Sequence, residues 1–578
     1  VDGHGPLLAA VFGASPFLEE CLLAEPDLLR QMVESGPDAA WDGVMAQAAR
    51  LDLSERLRFM AGLRRARRRV ALLVALAELG GHWPLQRVTA ALTGFADLAV
   101  ALAVDHLLIE AAKRGEVEPA DRDRPSAGSG IAVLGMGKHG AAELNYSSDI
   151  DLIVLFDEEA MRCRAGDGPM AVTVRLARSL SYVLETRTKD GYAFRTDLRL
   201  RPHLPGHPLA ISTDAAELYY ERHGQNWERA SFIKARAVGG DIEAGETFLK
   251  RLQPFIWRKH LDYAAIRDIH SIKRQINAHR GFGRIAVRGH DLKVGRGGIR
   301  EIEFFTQTQQ LILGGRVPAL RSPRTTEALA ALAAGRWIDA GAAGELTRAY
   351  DFLRTVEHRL QMVADRQTQL MPDREADFAR IAAFSGWADP TAFETEVRRQ
   401  LETVERHYAA LFESEADLGG GATLVFTGTD DDPGTLGTLR SMGFKDPSAV
   451  SQRIRGWHHG HIRATRSTRA RELLTELTPT ILGTLADQPD ADRAFRLFDE
   501  FVAGLPAGVQ LFSLFRANPR LLSLLADLTG AAPRLAGFLA AATGGPRSTP
   551  YWIDLGYDDD NYRRWSRYVD VYLLAPPP

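Results

Sequence analysis

The chain is poor in cysteine: Cys21 and Cys163 are the only two in 578 residues. Two are too few for a disulfide framework or a four-cysteine zinc site, and they suit a reducing cytoplasm. Long apolar runs are missing as well, since none approaches the roughly 18–20 uninterrupted residues that span a bilayer. The start, Val1-Asp2-Gly3-His4-Gly5, has no basic stretch leading into an apolar one, so no secretory leader is expected there. Valine in place of methionine reads as a trimmed start. Neither charge sign dominates: 71 Lys and Arg face 74 Asp and Glu, for a net charge of −3. That balance argues against a chain whose main task is gripping nucleic-acid backbone, while leaving room for a local basic pocket. No fixed-period repeat occurs.

What is present is the text of a globular chain, 45% hydrophobic and 25% charged, and long enough for about three or four domains. Residues 1–115 read as helical almost throughout: Leu22-Leu23, Leu28-Leu29 and Met32-Val33 recur at helical spacing. Within them, Arg64-Arg65-Ala66-Arg67-Arg68-Arg69 reads as a solvated helix face, with an anionic partner site as the alternative.

The period changes at the loop Pro125-Ser126-Ala127-Gly128-Ser129-Gly130. Residues 116–262 then read as α+β. Ile131-Ala132-Val133-Leu134 has strand length, and Asp149-Ile150-Asp151-Leu152-Ile153-Val154-Leu155-Phe156 reads as a buried strand. A helix is expected from about 172 to 185. Phe194-Arg195-Thr196-Asp197-Leu198-Arg199-Leu200-Arg201 alternates at period two toward its end and is closed by Pro202, giving a third strand.

Residues 263–418 return to helical text. Leu346, Tyr350, Leu353, Val356, Leu360 and Val363 line one helix face, and Phe393, Val397, Leu401, Val404, Tyr408 and Leu411 another, opened by Asp389-Pro390-Thr391. Both stripes read as core. The linker Leu418-Gly419-Gly420-Gly421-Ala422-Thr423 opens a further helical region, 419–543. Residues 544–578, with Tyr551-Trp552 and Asp558-Asp559-Asp560, lack periodicity and read as a flexible tail. The fold class expected is therefore α+β multidomain, a small sheet flanked by largely all-α regions.

One constellation carries chemistry. Residues two apart in a strand project to the same face, so Asp149 and Asp151 point together while Ile150 enters the core. Paired carboxylates among apolar neighbours repel each other and are costly to desolvate; a divalent cation removes that penalty, and hard oxygen donors suit Mg²⁺ or Mn²⁺. Asp197 is the candidate third acid, with Arg199 and Arg201 expected on its face as phosphate contacts. The plainer alternative for Asp197 is a surface acid paired with Arg199. Ahead of the pair lies Gly135-Met136-Gly137-Lys138-His139-Gly140, where glycines let backbone N–H groups approach a phosphate closely. Lys138, Ser147 and Ser148 stand where they could add contacts, whereas His139 reads as an ordinary loop residue.

Two rival readings of that loop fail on spacing. Gly135, Gly137 and Gly140 match a dinucleotide fingerprint in letters. Only residues 141–148 separate them from the next strand, however, too few for a crossover helix. A Walker loop is excluded because Ala132 stands at its first glycine and His139 at its Ser/Thr.

The string from Gly135 through Glu143-Leu144-Asn145-Tyr146-Ser147-Ser148-Asp149-Ile150-Asp151-Leu152 resembles the bacterial glutamine synthetase adenylyltransferase/adenylyl-removing enzymes, of the DNA polymerase β-like nucleotidyltransferase superfamily. Trp227-Glu228-Arg229-Ala230, Ile233-Lys234-Ala235-Arg236 and Asp291-Leu292-Lys293-Val294-Gly295-Arg296-Gly297-Gly298-Ile299-Arg300-Glu301 strengthen the likeness, which runs to about residue 540. The resemblance implies an adenylyl-removing domain at 116–262 that releases AMP from a tyrosine of glutamine synthetase by phosphorolysis. It implies two Mg²⁺ ions, or Mn²⁺, held by Asp149, Asp151 and Asp197. Phosphate contacts are implied for Gly135, Gly137, Lys138, Ser147, Ser148, Arg199 and Arg201, and weaker ones for Lys293, Arg296 and Arg300. Glutamine synthetase, a PII-type signalling protein, ATP or ADP and phosphate are the implied partners, with no nucleic acid and no membrane. Residues 264–578 hold no second Gly-x-Gly-Lys followed by Ser-Asp-x-Asp, so the attaching domain of that family is expected to lie outside this chain. The alternatives are a non-catalytic regulatory scaffold and an RNA nucleotidyltransferase, the latter disfavoured by the acidic balance.

Overall fold

The computed structural model describes residues 5–163, 168–202, 208–224, 226–258, 285–413, 433–458, 462–465, 468–505 and 508–531. The expected linker at 418–423, the tail at 544–578 and the side chain of Leu411 lie outside the described residues. The chain divides into two compact units, Val1–Leu418 and Gly419–Pro578.

The first unit opens with five helices: α1 (Gly5–Ala14), α2 (Pro16–Ala24), α3 (Pro26–Ala48), α4 (Arg56–Leu79) and α5 (Leu85–Lys113). The Ser15 hydroxyl caps α2 by accepting from Leu18 N, and Pro16 starts the helix where no N–H is needed. Helix α5 is long and apolar enough to cross a membrane by composition, yet 67% of its most apolar window is buried inside this unit, as in a core helix.

The arginine cluster on α4 departs from the solvated face expected for it. Arg64 and Arg67 are 1% and 7% exposed. The Arg64 guanidinium donates to the carbonyls of Met60, Val183, Thr186 and Gly191, closing the end of a later helix. Arg67 donates to Tyr146 O and pairs with Asp365 at 3.2 Å, and Arg68 holds Glu25 at 2.7 Å. These partners lie far off in sequence, so the run looked solvent-facing. Arg65 alone of the cluster is exposed.

The sheet begins with β1 (Ile131–Gly135), then one helical turn, α6 (Gly137–Gly140), and β2 (Ile150–Phe156). No helix fills 141–149, in keeping with the short spacing. Next come α7 (Pro169–Glu185), β3 (Thr196–Asp197), β4 (Ala210–Ser212), α8 (Thr213–His223), α9 (Asn226–Phe232), β5 (Arg236–Gly240), α10 (Ile242–Arg251) and α11 (Gln253–Ile256). β1 runs antiparallel to β2 and β5, while β3 and β4 pair in parallel with successive parts of β2. The sheet is mixed and has five described strands rather than three.

Alternation along β2 serves two cores. Ile150, Leu152, Val154 and Phe156 join α4, α5 and α7. Ile153 and Leu155 face the other way, with Leu134, Ile211 and the aromatic cluster of α8–α11. Burying each such side chain stabilises the fold by roughly 1.5–3 kcal/mol. Asp151 shares the face of Ile153 and Leu155, at the strand end where that core stops.

The bundle that follows contains α12 (Ile299–Leu313), α13 (Thr325–Ala334), α14 (Ala340–Met362), α15 (Glu375–Phe384) and α16 (Pro390–Glu413). Both predicted stripes enter its core, with Val363 half-buried just past α14. Asp339 caps α14, and Asp389 caps α16 by accepting from Thr391 N and Ala392 N. The second unit has its own core around buried Trp457, whose indole N–H donates to Asp499 at 2.6 Å. The architecture is α+β and mostly helical.

Candidate functional site

β2 starts one residue after Asp149 and carries Asp151 as its second residue. β3 is only two residues long, and parallel pairing sets Asp197 directly beside Asp151. Register partners of adjacent strands share a face, so one sheet edge presents Asp149, Asp151 and Asp197 together. Burial pushes the Asp151 carboxyl up to about 7, and the charges of Asp149 and Asp197 add to the rise.

The glycine turn packs against this edge. Gly137 has φ +53°, and a Cβ there would stand 3.0 Å from Asp151 Oδ2, so only glycine lets the backbone come this near the acid. At Gly140 a Cβ would collide with Lys234 O at 1.9 Å. His139 is buried beside Asp97, 2.9 Å from Nε2, as a packed residue of this turn.

Several expected contacts are otherwise engaged. The third strand stops at Asp197, so Arg199 and Arg201 do not continue its face. Leu198 and Leu200 pack toward opposite cores instead of sharing one strand face, since β3 ends at Asp197. The exposed Arg199 folds back onto Asp197, its Nε 2.9 Å from Oδ2, and this pairing holds the Asp197 carboxyl below its usual range. Arg201 donates to Pro208 O at 2.7 Å. Ser147 is buried: Arg195 donates to its carbonyl at 2.7 Å and its hydroxyl at 2.9 Å, and its N–H donates to Gln361. Ser148 Oγ stays near the acids, 3.4 Å from Asp149 Oδ1.

Lys138 pairs with Glu357 of α14 at 3.3 Å instead of standing free in the loop. Burial lowers its amine to about 8, and Glu357 resists the fall. Of the basic turn before α12, Lys293 carries charge that reaches Asp151, Arg296 pairs with Glu405, and Arg300 is exposed. Trp227 is 42% exposed. Buried Glu228 accepts from Tyr219, and buried Arg229 donates to Phe255 O and Ile256 O.

Other letters of the motif serve the scaffold. Glu143 accepts from Thr325 N at 2.9 Å and from Tyr350 OH at 3.3 Å, and pairs with Lys234 at 3.4 Å. Arg354 of α14 donates to Asn145 Oδ1 at 2.8 Å and Glu143 O at 2.6 Å. Tyr146 OH donates to Ala71 O at 2.9 Å.

The acid set matches the donor chemistry of a hard divalent cation, because half-buried Asp151 sits against two like charges that such an ion neutralises. Among the described residues no three such side chains are already gathered to hold an ion. Asp149 is turned to Gln367, whose amide donates to Oδ1 at 2.7 Å, and Asp197 to Arg199. Sequence reasoning missed Gln367, Glu357, Tyr192, Arg195 and Asp365; they lie outside the acid–glycine string, and no local pattern marks them.

Two families match successive stretches of the chain. Residues 6–251 match the family described as glutamate-ammonia ligase adenylyltransferase, and residues 269–412 the family described as GlnD PII-uridylyltransferase. A protein of Rhizobium meliloti (strain 1021), named bifunctional glutamine synthetase adenylyltransferase/adenylyl-removing enzyme, is 53% identical over 547 residues, covering 92% of this chain and 55% of its own length. A protein of the same name from Agrobacterium fabrum is 51% identical over 93% of this chain and 56% of its own. The chain spans about half the length of the curated relatives it matches.

Proposed function

We infer, from the match of residues 6–251 to the glutamate-ammonia ligase adenylyltransferase family and from the geometry of the acids, that the acid edge is a metal-dependent nucleotidyl-transfer centre. On this reading it has a polymerase β-like core and removes AMP from a tyrosine of adenylylated glutamine synthetase. The observation that carries the reading is the half-buried Asp151 beside Asp149 and Asp197, with the Gly137 backbone packed against it.

Asp149, Asp151 and Asp197 would hold the divalent cations, two Mg²⁺ or Mn²⁺. Bound there, such ions supply charge neutralisation for in-line displacement at phosphorus. The chain's own groups do the positioning that dominates this chemistry. The Gly135–Gly140 turn, written in full Gly135-Met136-Gly137-Lys138-His139-Gly140, brings backbone close to the phosphate, and Ser148 flanks it. Lys293 adds positive charge from the bundle side. Arg199, exposed and tied only to Asp197 among its described contacts, can swing from that carboxylate to a phosphate oxygen. An oxygen of inorganic phosphate bonds to the AMP phosphorus, the bond to the tyrosyl oxygen breaks, and the proton lost by the phosphate ends on the tyrosine hydroxyl. The products are ADP and unmodified glutamine synthetase. The bundle, similar to a PII-uridylyltransferase segment, is the proposed seat of a PII-type regulator.

The test is ADP release by this chain from adenylylated glutamine synthetase with phosphate and Mg²⁺, run beside AMP attachment from ATP. ADP release is expected, falling by about 10²–10³-fold or more in Asp151→Asn, the loss typical of removing one charge-stabilising group. The variant keeps or raises its melting temperature, since the amide relieves like-charge repulsion. Attachment without release would reverse the direction; full activity in the variant would remove the site.

A further inference from the structure

We propose that the loop following α14 carries the positioning residues of the acid edge, Gln367 acting on Asp149 directly and Asp365 acting on both acid-bearing strands through Tyr192 and Arg195. The inference rests on the metal-centre reading above.

Four observations carry it. The Gln367 amide donates to Asp149 Oδ1 at 2.7 Å, across 218 residues of sequence. That bond holds the Asp149 carboxylate through its Oδ1. Two residues earlier, Asp365 has φ +48°, a left-handed conformation strained for a residue with a side chain. Its carboxylate is held on both sides, by Arg67 at 3.2 Å and by Tyr192 OH at 2.8 Å.

The relay continues from the same phenol. Arg195 Nη1 donates to Tyr192 OH at 2.5 Å, and Arg195 Nη2 donates to Ser147 O at 2.7 Å. Arg195 O accepts from Ile150 N at 2.9 Å. Arg195 therefore grips the chain two residues before Asp149 while standing two residues before Asp197. One side chain sets the spacing between the strands that present the acids, and its own place is set by Tyr192 and Asp365.

Neither residue touches a reacting atom on this account; both act by orienting metal donors. Partners of this kind are worth roughly 10–100-fold in metal affinity when removed. The loop belongs to the bundle side of the unit, so the bundle helps to build the site.

The experiment titrates Mn²⁺ into the whole chain, following free Mn²⁺ by electron paramagnetic resonance, beside thermal melts of each protein. Wild type is expected to saturate and Asp151→Asn to lose that binding. Gln367→Ala and Tyr192→Phe are expected to raise the half-saturating Mn²⁺ concentration about tenfold at an almost unchanged melting temperature. Gln367 is exposed, so its variant folds whatever the relay variant does. Saturable binding in wild type, lost in Asp151→Asn but undiminished in both positioning variants, would overturn the inference and leave the metal centre standing. Wild type indifferent to Mn²⁺, or identical to Asp151→Asn, would overturn the metal centre and this inference with it.

Discussion

The sheet of the first unit meets its two sets of neighbours by different chemistry. Toward α5 and α7 it presents Ile131, Val133, Ile150, Leu152 and Val154 to Val100, Leu107, Leu176 and Leu180, a mainly apolar contact that also carries the Arg236–Asp97 ion pair at 2.9 Å. Toward α14 it presents Glu143, Asn145, Lys138 and Lys234, met by Tyr350, Arg354 and Glu357 in a buried polar seam. Apolar contact is non-directional, and neighbouring packings of similar volume cost little more. A buried charge is tolerable only when paired, so the seam admits one alignment. The first interface supplies stability, and the second fixes where the bundle stands relative to the acids.

The largest expected effect comes from breaking the seam. Arg354 is fully buried, and Arg354→Met removes the donor to Asn145 Oδ1 and to the Glu143 carbonyl and leaves buried Glu357 with Lys138 as its remaining ion-pair partner. Urea denaturation should show a loss of about 3–5 kcal/mol, as for other severed buried pairs. A loss below that of a surface pair would show that the seam does not hold the bundle. On the apolar side, Leu152→Ala removes side-chain volume from a site with no solvent exposure, at a cost of about 3 kcal/mol in the same assay. Mn²⁺ affinity should fall with Arg354→Met and hold with Leu152→Ala; equal losses would erase the distinction between the interfaces.

A smaller effect follows from acid. Despite the opposing penalty of burial, His358 and Arg359 hold Glu78 down to about 2 from an ordinary 4.5. A carboxyl depressed in the folded state contributes stability that is present above 4.5 and is lost as pH falls toward about 2. Glu78→Gln should melt lower at neutral pH but fall less steeply through that window; parallel curves would rule the pairing out. The smallest effect is expected at exposed Arg199, where Arg199→Ala should leave the melting curve in place and raise only the phosphate concentration needed for ADP release.

These contrasts also explain what could be read in advance. β2, α7 and the two bundle stripes show in the sequence because burial on one face imposes a period. Asp149 and Asp151 show because two acids interrupt such a period at spacing two. The Arg64–Arg69 run misleads because its partners are backbone carbonyls and distant carboxylates, which leave no local mark. β4, at three residues, and the glycine-ended β5 are too short to declare a period. Residues 198–201 alternate without forming a strand: Leu198 and Leu200 enter opposite cores, and a ladder needs a neighbour. The motif letters Glu143, Asn145 and Tyr146 carry the family resemblance, and their contacts are with α13, α14, α4 and Lys234. Gln367 was invisible for the opposite reason: a lone glutamine in a polar loop carries no pattern.

The long apolar helix α5 has a bearing on how this chain is made. It packs between α4, which precedes it, and α7 and β5, which follow. During synthesis α5 leaves the ribosome with part of its surface uncovered until Pro169–Glu185 and Arg236–Gly240 have been translated. For more than a hundred residues the nascent chain displays a segment that membrane-targeting machinery or a neighbouring ribosome's product can seize. That window narrows when the last sheet strand comes in and closes only with α14, which also packs on α5.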